Sequence, residues 1–128
     1  MLNATWKKIY DAAKMVVNPK KISGQMCSGG VGAAVVSKSG NIYTGVCIDT
    51  DCSLGMCAER NAISTMITAG EFEIAKVVAV NKKGQVLPPC GACREFMLQL
   101  KNASDTEILV DNKGTVINLK DLMPYSYS

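Results

Sequence analysis

The chain has 128 residues, 48% of them apolar, with a formal net charge of +3 and only 5% aromatic residues. That length implies one domain, residues 1–128, able to build its own core without a disulfide framework. No apolar run reaches the length of a membrane span and no leader-like segment opens the chain, so the expectation is a cytoplasmic protein with no membrane partner.

In chain order, Asn3 to Val17 reads as an amphipathic helix, with Trp6, Ile9, Tyr10, Ala13 and Val16 at helical spacing. Its lysines, Lys7, Lys8 and Lys14, together with Lys20 and Lys21, form a basic cluster in a chain where aromatics are sparse. A solvated face explains them better than nucleic acid, which is therefore not expected as a partner. Asn18-Pro19 ends the helix, and Lys20 to Gly30, rich in Gly, Ser and Lys, reads as a loop. Val31–Val36 and Ile42–Ile48 read as a hairpin about Ser39-Gly40. Ala58–Thr68 reads as a helix ended by Gly70, Ala75–Asn81 as a strand and Arg94–Leu100 as a second helix. Strands at Glu107–Val110 and Thr115–Asn118 follow, about a turn at Asn112-Lys113-Gly114. Helices alternating with strands predict a layered α/β domain with a mixed sheet.

The chemistry concentrates in two short segments, Cys57-Ala58-Glu59-Arg60 and Pro89-Cys90-Gly91-Ala92-Cys93-Arg94. Cys90 and Cys93, separated by two residues on the first turn of a helix, point their sulfurs the same way, as two corners of a tetrahedron require. Cys57 at the start of the other helix supplies a third thiol. Three protein ligands leave the fourth position of a zinc ion free, which suits catalysis rather than structure. With no histidine in the chain, the ligand set is all sulfur and carries excess negative charge. Two helix N-termini and the guanidinium of Arg60 are the available counterweights. Cys27, Cys47 and Cys52 keep open a four-sulfur structural zinc site, and so a non-catalytic zinc module. Glu59, a carboxylate two residues past a ligand, speaks against it.

These motifs, with the Val31-Gly32-Ala33-Ala34 strand before them and Leu119–Pro124 after them, resemble the cytidine deaminase superfamily, specifically its small, homotetrameric, all-cysteine zinc branch, which includes blasticidin S deaminases. The resemblance implies a three-layer α/β/α fold with a mixed central sheet of about five strands. It also implies one zinc per chain on Cys57, Cys90 and Cys93, with Glu59 as the proton shuttle and Arg60 balancing the thiolate charge. The implied reaction is hydrolytic release of ammonia from cytidine or a related small nucleoside. Residues implied at the substrate are Cys47, Asp49 and Ala58, plus Tyr127 reaching a neighbouring subunit. Departures from the branch lie where it grips the ribose. An Asn-x-Glu pair is usual there, and Cys47 and Asp49 stand in its place. Gly29 replaces a Phe that packs near the base. These changes point away from unmodified cytidine and toward an analogue such as blasticidin S.

Overall fold

The structure is a computed structural model that describes residues 2–127. Helix α1 (Ala4–Val16) starts at Asn3, whose side-chain oxygen accepts the Trp6 N–H at 2.9 Å. Strands β1 (Lys20–Lys21), β2 (Met26–Ser37) and β3 (Ile42–Thr50) follow. Helix α2 (Ala58–Thr68), strand β4 (Ile74–Asn81) and helix α3 (Gly91–Leu98) carry the middle of the chain. A short 3-10 helix (Ala103–Asp105), strands β5 (Glu107–Leu109) and β6 (Val116–Asn118) and a second 3-10 helix (Leu119–Leu122) complete it.

The sheet runs β3-β2-β4-β5-β6, with the two-residue β1 lying beside the first part of β2 on the β4 side. Only β4 and β5 are parallel; the other pairs are antiparallel. Alternation along β2 sends Ala33 and Val35 to one face and Ala34 to the other. Helices α2 and α3 cover the first face through Ala62, Ile63, Met66, Cys93 and Met97. Helix α1 covers the second through Trp6, Ile9 and Ala13. The result is the three-layer arrangement with five main strands that the resemblance implies.

The segment read as a loop, Lys20 to Gly30, is instead largely strand. Residues 20–21 pair with Cys27 and Ser28, and β2 starts at Met26. The pattern misleads because β2 slips against β3 between Ser28 and Gly32, a bulge that interrupts the period of two. At its centre Gly29 has φ +85°, and a Cβ there would lie 2.0 Å from the Asn18 carbonyl oxygen. Position 29 is therefore closed to any side chain and faces Asn18; the expected loss of packing beside a base at this position does not apply.

Gly45 sets how closely α2 approaches the sheet. A Cβ at Gly45 would sit 2.4 Å from the Ala62 backbone nitrogen, and Asn61 Nδ2 donates to the Val46 carbonyl at 2.9 Å beside it. Gly45→Ala must push α2 outward. Overpacking of this kind costs about 1–3 kcal/mol, so chemical denaturation should show a lower midpoint at unchanged slope. A variant as stable as the parent would show that the contact is not limiting.

At the opposite end of α2, Glu71 joins the helix to the β2–β3 hairpin. Its N–H closes the helix on the Met66 carbonyl at 3.1 Å. Its carboxylate accepts from Ser39 Oγ, Tyr43 Oη and Asn41 Nδ2. These donors, Ser39 first, hold the Glu71 carboxyl at about 2. A depressed native value adds stability above the ordinary carboxylate pKa of about 4.3, and that stability fades as pH falls toward the native value. Glu71→Gln should therefore melt at a lower temperature than the parent at pH 7, with the gap closing toward pH 2. An equal gap at both pH values would contradict the clamp.

Candidate active site

Two return loops build the site. After β3 the chain turns back along its own strand: Ile48 and Met56 exchange backbone hydrogen bonds at 2.9 and 2.8 Å. That return delivers Cys57 to the start of α2. After β4 a turn from Asn81 to Gln85 reverses the chain, and Leu87 N–H bonds to the Ala79 carbonyl at 2.9 Å. That return delivers Pro89 and Cys90 to the start of α3. Cys57 and Cys90 are the N-cap residues of α2 and α3, and Cys93 lies in the first turn of α3.

The three thiols converge. Their sulfurs all lie within 4.8 Å of one another, with Cys57 Sγ 3.4 Å from Cys90 Sγ. A tetrahedral zinc with Zn–S bonds of about 2.3 Å needs sulfurs about 3.8 Å apart, so the donor set fits the ion in both chemistry and spacing. Cys27, Cys47 and Cys52 stand outside this group, so among the described residues nothing closes it into a four-sulfur site. Arg60 reaches the cluster as expected, its Nη2 donating to Cys57 Sγ at 3.7 Å. Its Nε is buried without a hydrogen-bond partner, so it is the Nη2 contact that brings the positive charge to the sulfurs.

The two helix ends do not act alike on their thiols. At Cys90 burial raises the pKa, but the N–H groups of Cys93 and Ala92 and the neighbouring thiols outweigh it, and the thiol falls below its ordinary value. At Cys57 burial prevails over the Arg60 contact and the thiol rises. Burial also pushes Cys93 up, followed by the nearby Glu59 charge. The thiol at the α3 cap is thus lowered, while the thiol at the α2 cap and the more buried Cys93 are raised.

Glu59 is buried, with 5% of its surface exposed. Burial is the main cause of a carboxyl pKa above the usual range, offset in part by its own backbone N–H, Cys93 and Arg60. Glu59 and Ala58 line a cavity of about 780 Å³ that opens beside the thiols and is bounded by Cys47, Asp49, Asn81 and Leu87. Cys47 and Asp49 thus reach the same space as the thiols. Cys47 does more than sequence alone indicates. Its sulfur accepts the Val31 N–H freed by the bulge, at 3.3 Å, and its thiol donates to Asp49 Oδ2 at 3.7 Å. It therefore orients Asp49 rather than offering its own polar group. Tyr127 is outside the cavity and 94% exposed.

Sequence reading missed Arg94 and the wall from Ala79 to Pro88. Arg94 Nε donates to the Pro89 carbonyl at 2.8 Å and its Nη1 to the Leu122 carbonyl at 3.1 Å. It thereby fixes the turn that presents Cys90. Its place immediately after Cys93 was the available signal.

Residues 7–108 match the family described as the cytidine and deoxycytidylate deaminase zinc-binding region. The chain belongs to the cytidine deaminase superfamily. It is 33% identical over 103 residues to a cytidine deaminase of Halalkalibacterium halodurans, covering 77% of this chain and 76% of that one. It is 29% identical over 109 residues to a blasticidin-S deaminase of Bacillus cereus, at 77% and 76% coverage. Among solved structures, the cytidine deaminase of Mycobacterium leprae superposes with a TM-score of 0.79 at 27% identity, covering 95% of this chain and 99% of that one. For the Burkholderia pseudomallei enzyme the TM-score is 0.76 at 28% identity, with 94% and 98% covered. Among the described residues no helix is long and apolar enough to cross a membrane.

If the three sulfurs share one ion, removing one should release it. Cys90→Ala is expected to lose most of its zinc on dialysis while the parent keeps about one equivalent, the stoichiometry of a single three-ligand site. Full retention by the variant, measured by atomic emission, would overturn the ligand assignment.

Proposed function

We propose that the chain is a hydrolytic deaminase of cytidine or a closely related cytosine nucleoside, releasing ammonia and leaving the uracil form. The observation that carries the reading is a buried carboxylate, Glu59, next to an open three-thiol zinc site at the inner end of a cavity wide enough for a nucleoside. Membership of the superfamily supports it.

Bound at Cys57, Cys90 and Cys93, zinc would supply the Lewis acidity that makes water nucleophilic at neutral pH. Glu59 takes a proton from the attacking water and delivers it to the ring nitrogen, as water's oxygen bonds to the amidine carbon. It then carries the second proton to the exocyclic amine, and the carbon–nitrogen bond breaks with loss of ammonia. A carboxyl raised by burial is suited to both directions of transfer. Arg60 holds the thiolate charge in check, and the N–H of Ala58, at the helix end where no intrahelical acceptor exists, is free for the ring carbonyl. Asp49, oriented by Cys47, accepts from a sugar hydroxyl.

One observation favours an analogue over cytidine itself. The Cys47–Asp49 pair presents one carboxylate and no amide to the sugar, so a buried polar contact goes unmade, at about 1–3 kcal/mol. The blasticidin-S deaminase among the relatives is consistent with this second reading. Assembly as a homotetramer, with Tyr127 entering a neighbour's cavity, completes the proposal; its exposed position at the chain's end supports it, and sedimentation equilibrium is the check.

Glu59→Gln should retain zinc and fold but lose activity by roughly 10² to 10⁴, the usual worth of a general acid–base group. Ammonia release on a panel of cytosine nucleosides is the readout. An active variant would remove Glu59 from the reaction.

A further inference from the structure

The cavity's outer edge has a charge that the deamination chemistry does not use. Lys82 and Lys83 line it, in the turn that follows β4. Among the described residues neither lysine has an ion pair or a side-chain hydrogen bond. Lys20 and Lys21 extend this edge. Lys20 pairs with Ser28 of β2 and Asn81 with Val31, three positions apart on one strand and so roughly 10 Å. The acidic groups of the cavity stand elsewhere. Glu59 lies at its inner end, and Asp49 is on β3, on the other flank of β2 from the lysines.

This turn is held as a fixed platform. Tyr10 Oη and Asn112 Nδ2 both donate to the Gly84 carbonyl, at 2.7 and 2.9 Å. Asn112 Oδ1 accepts the Val86 N–H at 2.8 Å. Asn81 Oδ1 accepts the N–H groups of Lys83 and Gln85 at 2.9 and 3.0 Å. Contacts from α1, from the β5–β6 turn and from β4 itself therefore converge on the backbone that carries two unpaired cations. Helix α1 sits on the far face of the sheet from the zinc ligands, yet through Tyr10 it positions the rim of their cavity.

We propose that Lys82 and Lys83 form an anion subsite, so that the preferred substrate carries a phosphate or carboxylate on its sugar side, away from the ring being deaminated. This rests on the deaminase reading above and names the substrate class within it. The ring enters toward Glu59 and the thiols, the sugar passes Asp49, and the anionic group stays at the mouth against the lysines. A cleft edged by charge of one sign raises the capture rate of an oppositely charged substrate by about 10- to 10³-fold, less as salt rises.

The test is ammonia release from three substrates by the zinc-loaded protein: cytidine, cytidine 5′-monophosphate and a cytosine nucleoside with a 5′-carboxylate. At low salt, kcat/KM for at least one anionic substrate should exceed that for cytidine by about tenfold or more. The two anionic arms tell phosphate from carboxylate. Lys82→Ala with Lys83→Ala should reduce that ratio about tenfold, mainly through KM, and flatten its salt dependence. Lys38→Ala, in the hairpin turn at the other end of the sheet, should leave the ratio unaltered. Cytidine turned over as well as both anionic substrates, or a ratio indifferent to the double substitution, overturns the subsite and leaves the deaminase reading standing. No ammonia from any cytosine substrate overturns both.

Discussion

Everything at the site depends on bringing two helix N-termini to one point. Cys57 and Cys90 are 33 residues apart in sequence, yet their sulfurs stand 3.4 Å apart. Neither helix is held there by its own sequence alone. Helix α2 is pressed against β3 where Gly45 leaves no room for a Cβ, and both helices start from loops that pair back onto the strand before them. The sheet fixes the ends of β3 and β4, the return loops fix the caps, and the caps fix the sulfurs.

Around this centre the polar groups are arranged in tiers. Arg60 touches a sulfur and carries the opposite charge. Arg94 touches no ligand atom but holds the carbonyl before Cys90 and the C-terminal 3-10 helix together. Cys47 sits one step behind Asp49 and directs it. Such supporting groups set the precision of a site whose reacting residues are common to many proteins.

The zinc cluster was legible in sequence because its information is local: two short motifs, each at a helix start, with spacing that only a helical turn satisfies. The core faces of α1 and α2 were legible for the same reason, through periodicity, and β4 as a short run of apolar residues. What escaped was non-local. The bulge at Gly29 disguised the first part of β2 as a loop, because its irregular backbone answers to Asn18 across the fold. Cys47 looked like a poor substitute for an amide, since only the folded strand pair shows its sulfur between the Val31 N–H and Asp49. The lysine turn gave no motif; its meaning comes from Tyr10 and Asn112, 72 and 29 residues from Lys82 and Lys83 respectively, meeting at Gly84.

The central claim is that three thiolates hold a metal with one position left for chemistry. X-ray absorption at the zinc edge of the purified protein tests it most directly. The expected result is three sulfur scatterers at about 2.3 Å and a single oxygen or nitrogen at about 2.0 Å. Four sulfurs would mean that another cysteine closes the site and the metal is structural; a shell without sulfur would mean that Cys57, Cys90 and Cys93 are not its ligands.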